Sequence, residues 1–174
     1  IMDGSSKFFV DALENAKIVE QNVLREEFFP SEPISFECEE SGSRISIIPN
    51  DTYQIDTIVD YKTKVLGEQE ASINHISEFK TEIASARTFS FLHELETLLE
   101  NGLIKGGDLN NAIVYVDKPL GESNMDILKK AFNKDTISVT PNGILDNLDL
   151  HYPNEAARHK LLDVIGDLAL IGMK

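Results

Sequence analysis

The chain has 174 residues, of which 41% are hydrophobic, and its formal net charge is −14. This hydrophobic fraction is enough for one globular domain or slightly more, whereas the negative charge excludes binding of nucleic acid through bulk electrostatics. A single cysteine, Cys38, excludes an internal disulfide framework and is typical of the cytoplasm, and no apolar run is long enough for a membrane span.

The first part of the chain is predicted to form one helix and three strands. Apolar residues recur at helical spacing over residues 6–17. Hydrophobic and polar residues alternate over 34–38 and 45–47 on either side of a Glu-Ser-Gly-Ser turn, which predicts a hairpin. A longer alternating run over 53–61 predicts a third antiparallel strand, and we expect all three strands to form one sheet.

The following residues predict a second helix over 77–85 and then a small β-α-β unit. Its parts are a short strand at 88–91, a helix at 93–100 and a strand at 112–116. Residues 118–142, with a surface helix and a strand, are interpreted as a lineage-specific insertion. The predicted fold class is therefore α+β, with a mostly antiparallel sheet packed against two helices and a small β-α-β insert.

The last helix carries the polar residues that suggest chemistry. It is predicted from Asn154 as N-cap to Gly172 just after its end, and apolar residues cover most of its circumference. His159, Asp163 and Asp167 stand four residues apart and therefore line one face. Carboxylates in an apolar wall are costly unless they are paired or bind a cation, so the line predicts either a structural polar network or a metal site.

Residues 158–168 closely resemble the zinc-binding helix of the UDP-3-O-acyl-N-acetylglucosamine deacetylases, enzymes of lipid A biosynthesis. Two further stretches match that family in the same order. Residues 86–91 with 102–112 resemble its acyl-chain insert, and residues 1–5 resemble its inter-domain segment. The resemblance extends over nearly the whole chain, although it is weak over residues 24–80 and 118–142.

The resemblance implies how the chain is divided. Residues 1–22 would be a remnant of the first domain and the inter-domain segment, and residues 23–174 would be the second deacetylase domain. This second domain would include an acyl-passage insert over residues 88–117. The chain is accordingly expected to be a piece of a longer enzyme. Asp3 lies near the active site in the family, but beside Gly4 it is interpreted here as a turn residue.

The resemblance also implies roles for the site residues. Zn²⁺ would be the cofactor, with His159 and Asp163 as two of its ligands. The third ligand and the general base belong to a region of the family that precedes Ile1, and the general-acid histidine belongs to one that follows Lys174. Asp167 would hold that acid histidine, and Thr88 would donate a hydrogen bond to the oxyanion. Lys160 would contact the sugar nucleotide.

The insert would form a hydrophobic passage for the 3-O-acyl chain of the substrate. The residues expected to contact the substrate there are Phe89, Leu95, Leu99, Ile104, Ala112 and Val114. A small satellite core would explain the same apolar residues equally well.

The expected function is zinc-dependent hydrolysis of the N-acetyl group of UDP-3-O-acyl-N-acetylglucosamine by a full-length cytoplasmic enzyme, with this chain alone inactive. Some family members are fused to a hydroxyacyl-carrier-protein dehydratase, and the residues of this chain do not show whether its parent protein carries such a fusion. The absent first domain should leave an apolar surface beside His159 for a crystal neighbour or a second copy. The alternative is a non-enzymatic acidic interaction domain in which His159, Asp163 and Asp167 form a structural polar network.

Overall fold

The computed structural model describes residues 3–24, 28–101, 111–118, 125–126, 128–130, 134–145 and 148–171. Helices and strands are both present, so the predicted α+β class is confirmed. The helices and strands, in chain order, are α1 (Lys7–Asn15), β1 (Ile34–Glu37), β2 (Arg44–Ile47), β3 (Ile55–Asp60), β4 (Glu68–Ile73), β5 (Phe89–Phe91), α2 (Leu92–Glu100), β6 (Ile113–Tyr115) and α3 (Glu155–Ala169).

The strands pair two by two within the described residues. β1 and β2 form the predicted antiparallel hairpin. The prediction that residues 53–61 extend this hairpin into one sheet is wrong, because β3 pairs instead with β4, antiparallel and with Ile55 opposite Ile73. β4 was not predicted, since its sequence is largely polar and only Ala71 and Ile73 are buried in it. Two apolar positions are too few for a recognisable alternation.

The predicted β-α-β unit is present. β5 and β6 pair in parallel with α2 between them, and Phe89 stands opposite Ile113. The strand predicted at 136–140 is reduced to a single bridge between Val139 and Leu145, next to a turn in which Gly143 has a φ of +75°. Of the surface helix predicted over 123–132, residues 125–126 and 128–130 are helical, and the others lie outside the described residues.

The helix predicted over 77–85 takes a different form. A 3₁₀ turn at Ile76–Glu78 leads into a π-helix at Phe79–Ile83, in which the backbone N–H of Ala84 bonds the carbonyl of Phe79. The wider turn places Ile83 and Ala84 fully in the core. Apolar spacing predicted a helical segment but cannot distinguish i→i+4 from i→i+5 hydrogen bonding.

α3 packs on the β3–β4 pair through its first half. Its fully buried Ala157 and Leu161 join a core cluster with Ile73 and Ile83. The apolar residues around the circumference of α3 are not buried up to its end. The C-cap residue Leu170 is 82% exposed. Gly172 lies outside the described residues.

Asn154 occupies the N-cap position of α3, but its side chain makes no capping hydrogen bond. Its amide nitrogen donates to the carbonyl of Glu70 at 2.7 Å, and its amide oxygen accepts from Nε of Arg158 at 2.9 Å. The side chain therefore ties α3 to β4 instead of closing the first turn.

Large apolar side chains remain exposed on α1 and on the β1–β2 hairpin. Phe9 is 62% exposed on α1, and Phe36 is 65% exposed on β1. The contact with a second copy stays a prediction. Within the described part of the chain, no helix is both long and apolar enough to cross a membrane.

Candidate metal and substrate cleft

A cleft of about 280 Å³ opens where the middle of α3 meets the end of β3 and the β5–α2 segment. It contains Thr88, Phe89, His159, Lys160 and Asp163, which the sequence predicted as site residues. The complete lining consists of Tyr61, Thr88, Phe89, Phe91, Glu94, His159, Lys160 and Asp163.

His159 is oriented by the backbone that precedes β5. Its Nδ1 lies 3.1 Å from the carbonyl oxygen of Ala86. Because a carbonyl only accepts hydrogen bonds, Nδ1 carries the proton, and in the neutral ring Nε2 keeps its lone pair. Nε2 lies 3.7 Å from Oδ1 of Asp163. Metal-binding histidines are commonly held in this way, with one ring nitrogen donating to a carbonyl and the other free to coordinate.

Lys160 places a positive charge at the same cleft. Its Nζ donates to Oδ2 of Asp163 at 2.9 Å, which leaves Oδ1 of that carboxylate facing His159. Burial alone would lower the pKa of Lys160, but the hydrogen bond and the charge of Asp163 outweigh it and raise that pKa. Lys160 therefore remains a cation at neutral pH, paired with the carboxylate of Asp163 at the edge of the cleft.

Asp167 lies one turn beyond Asp163 on α3, as its spacing predicted, but it is exposed and does not line the cleft. Its negative charge reaches the site only as one of the smaller effects that raise the pKa of Lys160. Its predicted partner, an acid histidine expected to follow Lys174, stays a prediction.

The donor atoms present fit part of a zinc site. A neutral imidazole nitrogen and a carboxylate oxygen are ligands that zinc prefers, and His159 and Asp163 supply one of each. Among the described residues, no group of three or more His, Cys, Asp or Glu side chains could hold a metal ion. A catalytic zinc needs three protein ligands and an open position, so these two residues form an incomplete set.

Thr88 is fixed through both of its backbone groups. Its N–H donates to the carbonyl of Gly4 at 3.1 Å, and its carbonyl accepts from the N–H of Ile113 at 2.9 Å. Gly4 belongs to a turn in which the carboxylate of Asp3 accepts hydrogen bonds from the N–H and the hydroxyl of Ser5. The structure thus shows Asp3 as a turn residue. Thr88 lines the cleft with its backbone held by two hydrogen bonds.

The residues predicted for the acyl passage lie in different surroundings. Phe89 lines the cleft, and Ala112 is half-buried just before β6. Leu95 and Val114 are buried in a cluster with other apolar residues, where they pack as a satellite core would. The side chain of Leu99 and the whole of Ile104 lie outside the described residues.

Sequence reasoning missed the aromatic part of the cleft. The ring of Tyr61 lies 5.6 Å from that of Phe89 and 5.3 Å from that of Phe91, both in edge-to-face geometry. Burial raises the pKa of Tyr61. Tyr61 was predicted only as the last residue of a strand, and no local signal shows that β3 ends beside β5.

Sequence reasoning also missed a buried ion pair between Arg87 and Glu155. Their side chains are 5% and 0% exposed, and Nε of Arg87 lies 2.8 Å from Oε1 of Glu155. Burial alone would raise the pKa of Glu155, but hydrogen bonds from Arg87 and His151 and the positive charge of Arg87 hold it below its ordinary value. The local signal in the sequence was a small apolar neighbour for each charged residue, Ala86 beside Arg87 and Ala156 beside Glu155.

Comparison with known proteins decides the family. Residues 1–127 and 122–174 match the family model of the UDP-3-O-acyl N-acetylglycosamine deacetylases, LpxC. The chain belongs to the LpxC family. It is 41% identical over 172 residues to the bifunctional enzyme LpxC/FabZ of Porphyromonas gingivalis. The aligned residues make up 99% of this chain and 37% of that protein. It is 35% identical over 173 residues to the UDP-3-O-acyl-N-acetylglucosamine deacetylase of Nitratidesulfovibrio vulgaris, with 99% of this chain and 48% of the relative covered.

The chain thus spans only part of these LpxC relatives, 37% of the bifunctional protein and 48% of the deacetylase. A third relative, the deacetylase of Helicobacter hepaticus, is 36% identical over 174 residues and is covered to 50%. The resemblance found in residues 158–168 therefore extends over the whole chain, including the stretches in which sequence reasoning found it weak.

Proposed function

We propose that this chain is the part of a Zn²⁺-dependent deacetylase that supplies two metal ligands and one side of the substrate site. The substrate would be UDP-3-O-acyl-N-acetylglucosamine, from which the enzyme removes the N-acetyl group. The observation that carries the proposal is the geometry of His159, whose Nδ1 is held by Ala86 while Nε2 faces Asp163. Membership of the LpxC family supports the same reaction.

His159 and Asp163 would hold the zinc ion, which when bound polarises the acetamide carbonyl and lowers the pKa of an attacking water. Thr88 would donate a hydrogen bond from its hydroxyl to the acetamide oxygen as negative charge develops there. Lys160 would hold an anionic group of the sugar nucleotide close to the same atoms. We propose that the third ligand, the general base and the general acid belong to parts of the enzyme outside this chain, and that Asp167 orients the acid.

The acyl chain of the substrate would run along the β-α-β unit. Phe89 stands at the cleft, and the small Ala112 precedes β6, so an alkyl chain that leaves the cleft would meet apolar surface. Leu95 and Val114 would support that surface from behind, as packed residues. We place the enzyme in the cytoplasm, where a protein with the single cysteine Cys38 needs no disulfide.

By itself the chain should bind zinc weakly and release no acetate. Two protein ligands cannot fix the open tetrahedral geometry of a catalytic zinc, and the described residues offer no third. Proton transfer by a general acid and a general base also contributes to the rate of such a hydrolysis, and we propose that both groups lie outside this chain.

The test is metal analysis and acetate release by the complete deacetylase beside the 174-residue chain. The complete protein should contain one zinc and lose it with activity in His159→Ala, whereas His75→Ala, an exposed histidine that caps the 3₁₀ turn, should change neither. Tight one-to-one zinc binding or turnover by the chain alone would show that its site is complete and that our ligand assignment is wrong. A complete protein that is metal-free, with His159→Ala only less stable, would favour the structural network and an interaction domain.

A further inference from the structure

The buried pair of Arg87 and Glu155 joins the segment before β5 to the first turn of α3. Besides the 2.8 Å contact of Nε, Nη2 of Arg87 donates to Oε2 of Glu155 at 3.2 Å and to the carbonyl of Asp149 at 2.5 Å. Two nitrogens of the guanidinium thus bond the two oxygens of the carboxylate. This bidentate arrangement fixes the orientation of the two groups relative to each other.

The carboxylate of Glu155 also fixes the backbone. It accepts the N–H of Arg87 at 3.0 Å through Oε1 and the N–H of His151 at 2.7 Å through Oε2. A pair between side chains alone would leave the chain at Arg87 free to shift, because the arginine side chain is long and flexible. The bond to the N–H of Arg87 removes that freedom.

The residues on either side of Arg87 both belong to the cleft. Ala86 supplies the carbonyl that bonds Nδ1 of His159, and Thr88 is one of the residues that line the cleft. His159 stands four residues after Glu155 on α3, one turn further along the same helix. A contact between Arg87 and Glu155 therefore sets the distance between the segment 86–88 and the helix that carries the imidazole.

Stability alone does not explain such a pair. Replacing a buried ion pair by apolar residues of similar volume is often neutral or stabilising, whereas removal of one partner is strongly destabilising. A fully hydrogen-bonded pair such as that of Arg87 and Glu155 also specifies the geometry of the segments that it joins.

We propose that Arg87 and Glu155 are positioning residues, which hold the Ala86 carbonyl against His159 and place the Thr88 hydroxyl at the cleft. The pair would thereby keep His159 as the tautomer with its proton on Nδ1 and Nε2 available to a metal. The catalytic consequence rests on the proposed function of His159 and Thr88. The effect on the tautomer is a property of this chain without any metal.

The first test measures the tautomer in the 174-residue chain by long-range ¹H–¹⁵N correlation at a pH where the ring is neutral. The double variant Arg87→Met/Glu155→Gln removes both charges, and the new amide oxygen can still accept one backbone N–H. In this variant, folded as judged by circular dichroism, we expect a mixture of His159 tautomers instead of the Nδ1–H form. The control is Glu82→Gln, which weakens the partly exposed pair of Arg158 and Glu82 between α3 and the π-helix, and which should keep the single tautomer.

If the double variant does not fold, Glu155→Asp replaces it, because a carboxylate one methylene shorter keeps the charge but cannot reach both Arg87 and His151 as before. A mixture of tautomers in the folded variant supports the proposal. An unchanged Nδ1–H tautomer in either folded variant overturns it.

The second test measures kinetics of the complete deacetylase that carries the same substitutions. Loss of a residue that orients a metal ligand commonly costs about 10- to 100-fold in activity or metal affinity. We expect kcat to fall by that factor while KM changes little, and Glu82→Gln to leave both unchanged. A rise in KM with kcat unchanged would overturn the positioning role. Absence of zinc in the unsubstituted enzyme would instead contradict the proposed function and leave the tautomer result standing.

Discussion

The carbonyl oxygen of Gly4 accepts a hydrogen bond from the backbone N–H of Thr88 at 3.1 Å. A turn near the beginning of the chain therefore supports a residue of the cleft that lies far along the sequence. The contact is close, because a Cβ on Gly4 would lie 2.3 Å from the carbonyl oxygen of Asn111 and 2.9 Å from Cγ2 of Thr88.

Gly4→Ala should therefore lower the free energy of unfolding by more than the positive φ of this residue alone would cost, because the added Cβ would also meet Asn111 and Thr88. Gly4 has a φ of +73°, a conformation that costs an L-residue about 1–2 kcal/mol. Gly42 has a φ of +70° with open space around it, so Gly42→Ala is the matched control for the backbone cost. We expect thermal unfolding to show a clearly larger loss of Tm for Gly4→Ala. Equal losses would mean that the turn is loose and does not support Thr88.

Thr88→Ala should reduce catalysis without removing the metal. In the complete deacetylase we expect kcat to fall by roughly ten- to a thousand-fold with the zinc content unchanged, because the hydroxyl would act only as charge develops. Thr57→Ala removes a half-buried threonine hydroxyl on β3, outside the cleft, and should leave kcat unchanged. Loss of zinc in Thr88→Ala would assign Thr88 a structural role instead.

Ala112→Phe should discriminate between substrates of different acyl length. Ala112 is half-buried immediately before β6, where a phenyl ring would occupy the proposed path of the chain. We expect kcat/KM of the complete deacetylase to fall more for long-chain than for short-chain substrates, and Ala112→Ser to leave their ratio unchanged. The same loss with both chain lengths would indicate general misfolding and remove the passage from this position.

Tyr115→Phe should stabilise the chain, most clearly at alkaline pH. The hydroxyl of Tyr115 is buried and has no hydrogen-bond partner among the described residues, so its removal costs no hydrogen bond. Burial, with a smaller effect of the Glu155 charge, raises the pKa of Tyr115 from 10.0 to about 12. The unfolded chain therefore loses its proton first, and stability falls as the pH rises from the unfolded pKa to the folded one.

Denaturant unfolding between neutral pH and pH about 12 measures this effect, since each unit of pKa shift is worth about 1.4 kcal/mol. Tyr115→Phe should lose less stability over that range and should be no less stable at pH 7. Tyr152→Phe is the contrasting control, because the hydroxyl of Tyr152 bonds the carbonyl of Thr81 at 3.1 Å. Its removal should cost about 1 kcal/mol at pH 7. A loss at neutral pH for Tyr115→Phe would show that its hydroxyl is bonded.

The sequence by itself determined what depends on neighbours within one element. Helical spacing placed His159 and Asp163 on one face of α3, and their side chains do meet in the cleft. The alternation of β1 and β2 and the order of strand, helix and strand in the β-α-β unit were equally local, and both are present. The resemblance of residues 158–168, together with that of residues 1–5 and of 86–91 with 102–112, predicted the family, and the match to the family model confirmed it.

Tertiary structure alone decided which distant groups meet. Helical spacing put Asp167 on the same face as His159, but only packing determined that it lies exposed beyond the cleft. The bond from His159 to Ala86 and the pair of Arg87 with Glu155 join residues that lie far apart along the chain. Periodicity cannot predict such contacts, because a buried polar group is satisfied by whichever partner the packed core brings within hydrogen-bonding distance.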